Sequence, residues 1–259
     1  MTALSNTWTY RGTALQTANW EIKMFSLDEQ IPERRGDNIV VPSADGRVYR
    51  NKTLEQRTID MVLNVKGASG SALEANIESL KSVFGVPGEG ILSRQTAGKA
   101  GPWTINAEVA NLVAFKELSD SVYNVLVEFV CSSPFWEGTA YSKVEGTITA
   151  SPHNFTVVNA GNSYNEQGTI VASGGVVNPK WTAGDFWVQY TGTVVAGTDL
   201  QIDCANFVAY KGTVDVTANI THGGGVSWMR ILPGSNTVSL TGTSLGTVTT
   251  TVSFTEYWL

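Results

Sequence analysis

The chain is poor in charge, in cysteine and in histidine, and each shortage narrows what it can do. Only 15% of its 259 residues are charged, against ~25% in an average globular chain. Lys and Arg number 17 against 23 Asp and Glu, so the basic footprint of a nucleic-acid binder is missing. No apolar run approaches the ~18 residues that a membrane helix needs, and no membrane insertion is expected. The two Cys and two His show neither C-x-x-C nor H-x-x-x-H spacing, which leaves no disulfide framework and no zinc site. Cys131 and Cys204 are expected as buried, reduced, small apolar residues. The first thirty residues lack the basic start and apolar middle of a signal peptide, so an unexported protein is expected. Eight Trp within a 10% aromatic content exclude disorder.

What is present is unevenly spread. Up to residue 137 the chain carries 13 Lys/Arg and 16 Asp/Glu; beyond it, 4 and 7. The later part holds 16 of the 26 Gly and most of the Thr. Such a contrast implies two differently built domains, 1–137 and 138–259, joined near Ser133–Gly138.

In the first part, Trp20–Phe25 alternates as a strand, and Gly36–Asn38 and Ala44–Gly46 carry turn chemistry. From Thr58 to Lys66 the alternation is sharp, with Ile59, Met61, Leu63 and Val65 on one face. One helix is expected, about 71–84, because Leu73, Ile77, Leu80 and Phe84 form an apolar stripe. Ser71 with Glu74 reads as its capping box, and Gly85 with Pro87 as its stop. Trp103–Val109 and Val122–Cys131 read as strands, the latter, apolar on two faces, expected to be buried on nearly both sides. The Gly-rich stretch 86–101 reads as a loop and a candidate interface element. The first domain is thus a β-sandwich or barrel-like structure with one packed helix.

The second part shows no helical stripe. Short runs rich in Val, Ile, Thr and aromatics lie between Gly, Asn and Asp: Thr147–Ala150, Thr169–Ala172, Phe186–Tyr190, Leu200–Asp203, Thr237–Leu240 and Thr247–Phe254. Their close spacing marks an antiparallel all-β sandwich or jelly roll.

No catalytic constellation stands up. Gly242-Thr243-Ser244-Leu245-Gly246 matches a nucleophile elbow and His222–Gly225 an oxyanion-hole loop, but the elbow needs a helix after the Ser and a His further along the chain. A Thr/Val strand follows instead, and no His lies beyond residue 222, so a hairpin turn is expected. Gly98-Lys99-Ala100 lacks the rest of a phosphate loop. Arg35-Gly36-Asp37 reads as a turn, and the sequons at Asn51, Asn154 and Asn219 carry no weight in an unexported protein. No enzyme, metal or cofactor is expected. Trp181, Trp187 and Trp228 in the sandwich could stack on sugar rings, or could fill its core. Phe135 and Trp136, at the join, are candidates for a subunit or domain interface.

Arg34-Arg35-Gly36-Asp37-Asn38, followed by Val41-Pro42 and Asp45-Gly46-Arg47, resembles a pattern in the first domain of tail proteins from phages of actinobacteria. The Arg57–Gly67 strand with its helix, and Glu128–Trp136 with its closing Pro and aromatics, follow the same order of elements. Asn159–Asn162, Asn178-Pro179, Met229–Asn236 and Val252–Trp258 resemble the start and end of a sandwich. Together they resemble the distal tail proteins of long, flexible-tailed bacteriophages. The resemblance implies a ring, usually of six copies, that caps the tail tube and anchors tail-tip or baseplate proteins. It also implies ring-building by sheet-to-sheet pairing in the first domain and a galectin-like sandwich as the second. The implied partners are further copies of the chain, the tail tube protein and a tail-associated tip protein, with DNA only passing through. The implied location is the virion, after synthesis in the bacterial cytoplasm. The alternative is a carbohydrate-binding adhesion module directed at a host cell-wall polysaccharide.

Overall fold

In the computed structural model the described residues are 7–26, 31–36, 39–40, 47–48, 53–95, 101–119 and 121–259. The expected turns over 37–38 and 44–46, Val41-Pro42, the Asn51 sequon and Gly98–Ala100 lie outside them. The chain divides into two compact units, Met1–Glu137 with Leu259, and Gly138–Trp258.

The first unit is built on one large antiparallel sheet. Its strands run in the order Thr13–Ala14, Thr7–Tyr10, Gly90–Gln95, Trp103–Ser119, Val122–Cys131, Arg57–Lys66 and Trp20–Ser26. Thr7–Tyr10 and Val122–Cys131 stand three places apart, roughly 14 Å in a flat sheet. The rings of Tyr10 and Phe129 nevertheless lie 5.1 Å apart, with Phe84 of the helix 5.7 Å from Tyr10 and 5.9 Å from Phe129. The sheet therefore curls around its core. Ile59, Met61, Leu63 and Val65 alternate into that core, fully buried.

The helix runs Gly70–Phe84 against the Arg57–Lys66 strand and buries Leu73, Leu80 and Phe84. Its cap is Ser69 rather than the expected Ser71. Ser69 is the last extended residue, with φ −153° and ψ 168°, and its hydroxyl accepts from the Ala72 amide at 3.3 Å. Ser71 already lies inside the first turn, where its side chain cannot face the free amides. Gly67 lets the strand run close beneath the helix, because a Cβ there would sit 2.3 Å from the Leu73 nitrogen.

Two further expectations are corrected in this unit. Val122–Cys131 buries one face, Val125, Val127, Phe129 and Cys131, while the other face is half-buried. The helix and the aromatic cluster cover only one side. Gly90–Gln95 is a strand within the expected 86–101 loop, with Leu92 and Arg94 turned inward and Ile91 outward. Its Gly, Ser and Arg conceal a two-residue period that only the flanking strands make useful.

The second unit packs two antiparallel sheets face to face. One has the order Trp136–Ile148, Ser244–Trp258, Thr169–Val177, Leu200–Asp203, Val208–Lys211 and Val214–Asp215; the first two residues of Trp136–Ile148 belong to the first unit. The other has the order His153–Asn159, Gly234–Thr241, Lys180–Ala183, Phe186–Tyr190 and Ile220–Gly223. Phe155, Trp181, Val188 and Leu240 of the second sheet meet Ile170, Ile202, Val248 and Val252 of the first in one core. The sheets are also linked by a hydrogen-bonded chain. The Trp181 indole donates to the Thr250 hydroxyl at 3.0 Å, and that hydroxyl donates to the Val171 carbonyl at 3.0 Å. The molecule is mainly β, with one α-helix among the described residues. Ser244 opens a strand straight after Gly242-Thr243, but the expected hairpin is not formed: Gly234–Thr241 and Ser244–Trp258 lie in different sheets, and the turn carries the chain from one sheet to the other.

Candidate binding surfaces

The structure separates the two readings of the three indoles, sugar platform or core, residue by residue. Trp181 is fully buried and Trp228 is 6% exposed, so both fill the core. Trp187 is half-buried on the opposite face of the sheet from Trp181, because it pairs with Thr182 while Trp181 pairs with Val188. Its ring lies over Gly223, where a Cβ would come within 2.4 Å of the indole nitrogen, and the Lys180 ammonium stands 4.1 Å from its centroid. Lys180 thereby occupies a position that a sugar would need.

Trp136 has no surface to offer another subunit either. It is 1% exposed, edge-on to Trp8 at 5.8 Å, and shares the Arg94 guanidinium with Trp8 and Trp103 at 5.5, 5.6 and 4.8 Å from the ring centroids. Burial lowers the pKa of that guanidinium, yet it stays cationic because an ordinary Arg titrates above pH ~12. Three ring faces around one cation stabilise the fold of the first unit. Phe135 remains half-buried, its amide donating to the Ser133 hydroxyl at 3.1 Å.

A hairpin leaves the sheet between Ser26 and Arg57. Arg34–Arg35 pairs with Thr53–Leu54, and Ile39–Val40 with Arg47–Val48, as nested antiparallel ladders. Ile31 is 63% exposed, and Arg34, Arg35 and Thr53 are also exposed. At its root a cleft of about 430 Å³ is lined by Ile31, Glu33, Glu55 and the buried Arg57.

A feature of the second unit had no counterpart in the sequence reading. Leu200–Asp203 and Val208–Lys211 are joined by a four-residue turn, Cys204–Phe207. The Asp203 carboxylate closes it, accepting from the amides of Ala205 at 2.9 Å and Asn206 at 3.1 Å. Phe207 ends the turn in the left-handed region, with φ +55°. That position ordinarily takes Gly or Asn, and a bulky residue there costs about 1–2 kcal/mol. Its ring stands edge-on to Trp228 at 5.6 Å, a contact worth roughly 0.5–1.5 kcal/mol. Strain and packing roughly cancel, and the ring remains 44% exposed. His222, also exposed, has its ring 6.2 Å from that of Trp228, tilted by 38°. Val226, 86% exposed, projects from the Gly223–Gly225 loop two residues before Trp228. Asp203 and Asn206 in the sequence mark a turn, but not which residue closes it.

Burial pushes the Cys131 and Cys204 thiols up to about 12, so neither is a thiolate at neutral pH. Among the described residues no three His, Cys, Asp or Glu come together as a metal site, and no helix is long and apolar enough to cross a membrane.

No protein-family model matches the chain, and no curated protein matches it by sequence. Its fold does match a solved one. The Dit protein of phage SPP1 aligns with a TM-score of 0.69 over 98% of this chain and 99% of that one, at 15% identity. The two chains share one fold. The SPP1 protein is described as a paradigm of the hub adsorption apparatus in phages that infect Gram-positive bacteria. Two structures of a phage P2 baseplate in its activated conformation, with Ca and with Sr, align over 96% of this chain at 8% identity, with TM-scores of 0.43 and 0.42. At those scores they establish no shared fold.

Proposed function

We propose that the chain is a structural hub of a phage tail, closing into a ring, most simply of six copies, at the distal end of the tail tube. One observation carries this reading: the whole chain, both units in order, follows the fold of the SPP1 Dit protein from end to end. The surfaces support it. The exposed Ile31, Arg34, Arg35 and Thr53 of the first unit offer a mixed apolar and basic surface for docking on a neighbouring copy. The sheet edges suit strand addition less well. Trp20–Ser26 is an edge among the described residues, but it carries a bulge between Ile22 and Met24 and the charged pair Glu21–Lys23; both features discourage pairing. The opposite edge, Thr13–Ala14, is only two residues long.

The second unit, on this reading a galectin-like sandwich, carries the tail-tip proteins. It serves as a scaffold without catalysis, and the chain resides in the virion. The net charge of −6 suits a channel wall that phosphate slides past rather than adheres to. The test is direct: the purified full chain is examined by electron microscopy and mass photometry across a concentration series. Rings of six copies are expected. A monomer at every concentration with no rings in the images refutes the hub reading.

A further inference from the structure

We propose that the notch formed by Phe207, Trp228 and His222 in the second unit binds a saccharide ring. Phe207 is the observation that demands an explanation. It holds a left-handed backbone position at φ +55° and leaves its ring 44% exposed. Its packing on Trp228 only offsets that strain, so stability gives no preference for an aromatic over Gly or Asn. Strained residues held in place by a rigid surround cluster at binding sites. Here the surround is rigid: Trp228 is core, and the turn is tied by three hydrogen bonds to Asp203, including one from the Asn206 amide side chain at 2.8 Å.

The chemistry of the notch selects the ligand class. A pyranose has an apolar C–H face and a rim of hydroxyls, and it is matched by an aromatic surface bordered by neutral hydrogen-bonding groups. Phe207 supplies the apolar surface. The exposed His222 ring, against Trp228, and the exposed Asn206 amide, next to Phe207 in the chain, supply donors and acceptors. The Cys204–Val208 segment contains no Lys or Arg, which favours a neutral hexose or N-acetylhexosamine over an anionic sugar. The Gly223–Gly225 loop beside it holds Gly224 at φ +95°, where a Cβ would meet the Asp185 carbonyl at 2.2 Å. That loop is therefore packed tightly on the Asp185–Phe186 backbone. This notch is separate from Trp181 and Trp187, and the inference does not depend on ring formation.

The test uses the full-length chain on an array of neutral hexose and N-acetylhexosamine oligosaccharides, followed by calorimetric titration of the best binder. Phe207→Gly removes the ring and relieves the backbone strain, so its melting temperature should stay close to the parent's while saccharide affinity falls by about tenfold or more. Phe207→Tyr keeps the aromatic face and should keep binding. Absence of saccharide binding by the parent overturns the inference, as does a Phe207→Gly variant that binds equally well. Binding of an extended peptide with no saccharide binding also overturns it and makes the notch a protein contact. Rings without saccharide binding sink this inference alone; saccharide binding without rings sinks only the hub reading.

Discussion

Replacing Thr250 by Val tests whether the second unit is interlocked as its hydrogen bonds indicate. Thr250 is fully buried in one sheet, and its hydroxyl sits between the indole of Trp181 in the other sheet and the carbonyl of Val171, with both contacts at 3.0 Å. Val has nearly the same shape, so Thr250→Val opens no cavity. It does leave the indole N–H buried without an acceptor, a desolvation loss of about 1–3 kcal/mol. Trp181→Phe removes the donor instead. The hydroxyl then keeps Val171, and the loss is about 1 kcal/mol for the bond plus a packing defect from the smaller ring. Once the indole N–H is gone, Thr250→Val no longer strands it. The double variant should therefore be less destabilised than the sum of the singles by roughly 1 kcal/mol. The assay is urea unfolding followed by circular dichroism, where a loss of that size moves the midpoint by about 0.5–1 M. Strict additivity, or a Thr250→Val midpoint equal to the parent's, shows that the link between the sheets contributes nothing and that the sandwich is held by apolar burial alone.

Two other expectations follow from the first unit. Ser69→Ala should lower stability by about 0.5–2 kcal/mol through loss of the helix cap, while Ser71→Ala should be close to neutral; thermal melts of the two variants decide which serine caps the helix. Hydrogen bonds from Lys23, at 2.8 Å, and Lys66 hold the Glu21 carboxyl down to about 2. A carboxyl depressed in the folded state adds stability above its unfolded pKa near 4.3, and that stability is lost as pH falls through 2. Glu21→Gln should flatten the stability profile over that acid window, by no more than about 1 kcal/mol because the carboxylate is 38% exposed. An unchanged acid slope in urea midpoints contradicts the pairing.

Where burial follows a local period, the sequence showed it. Arg57–Lys66, Val122–Cys131 and the closing strand to Trp258 each alternate long enough to be read directly, and the Leu73–Phe84 stripe marks the one described helix. Gly90–Gln95, His153–Asn159, Lys180–Ala183 and Ile220–Gly223 were missed. They are short, and polar outward-facing residues leave at most three inward ones to define a period. Phe207 was missed for a different reason. Its left-handed conformation arises from the pairing of Asp203 with Val208, which no property of Phe itself announces.

The aromatic residues divide most clearly between what the chain encodes locally and what the fold adds. Composition and alternation alone determined a β-rich molecule with one helix and many aromatic side chains to bury. Only the tertiary structure decided which of those aromatics face outward. Trp181 and Trp187 lie on adjacent strands, six positions apart, yet Trp181 is sealed between the sheets while Trp187 lies on the outer face. Their registers in the hairpin put them on opposite faces. A strand's two-residue period tells the residues apart by parity, but which parity is covered depends on where the other sheet comes to rest.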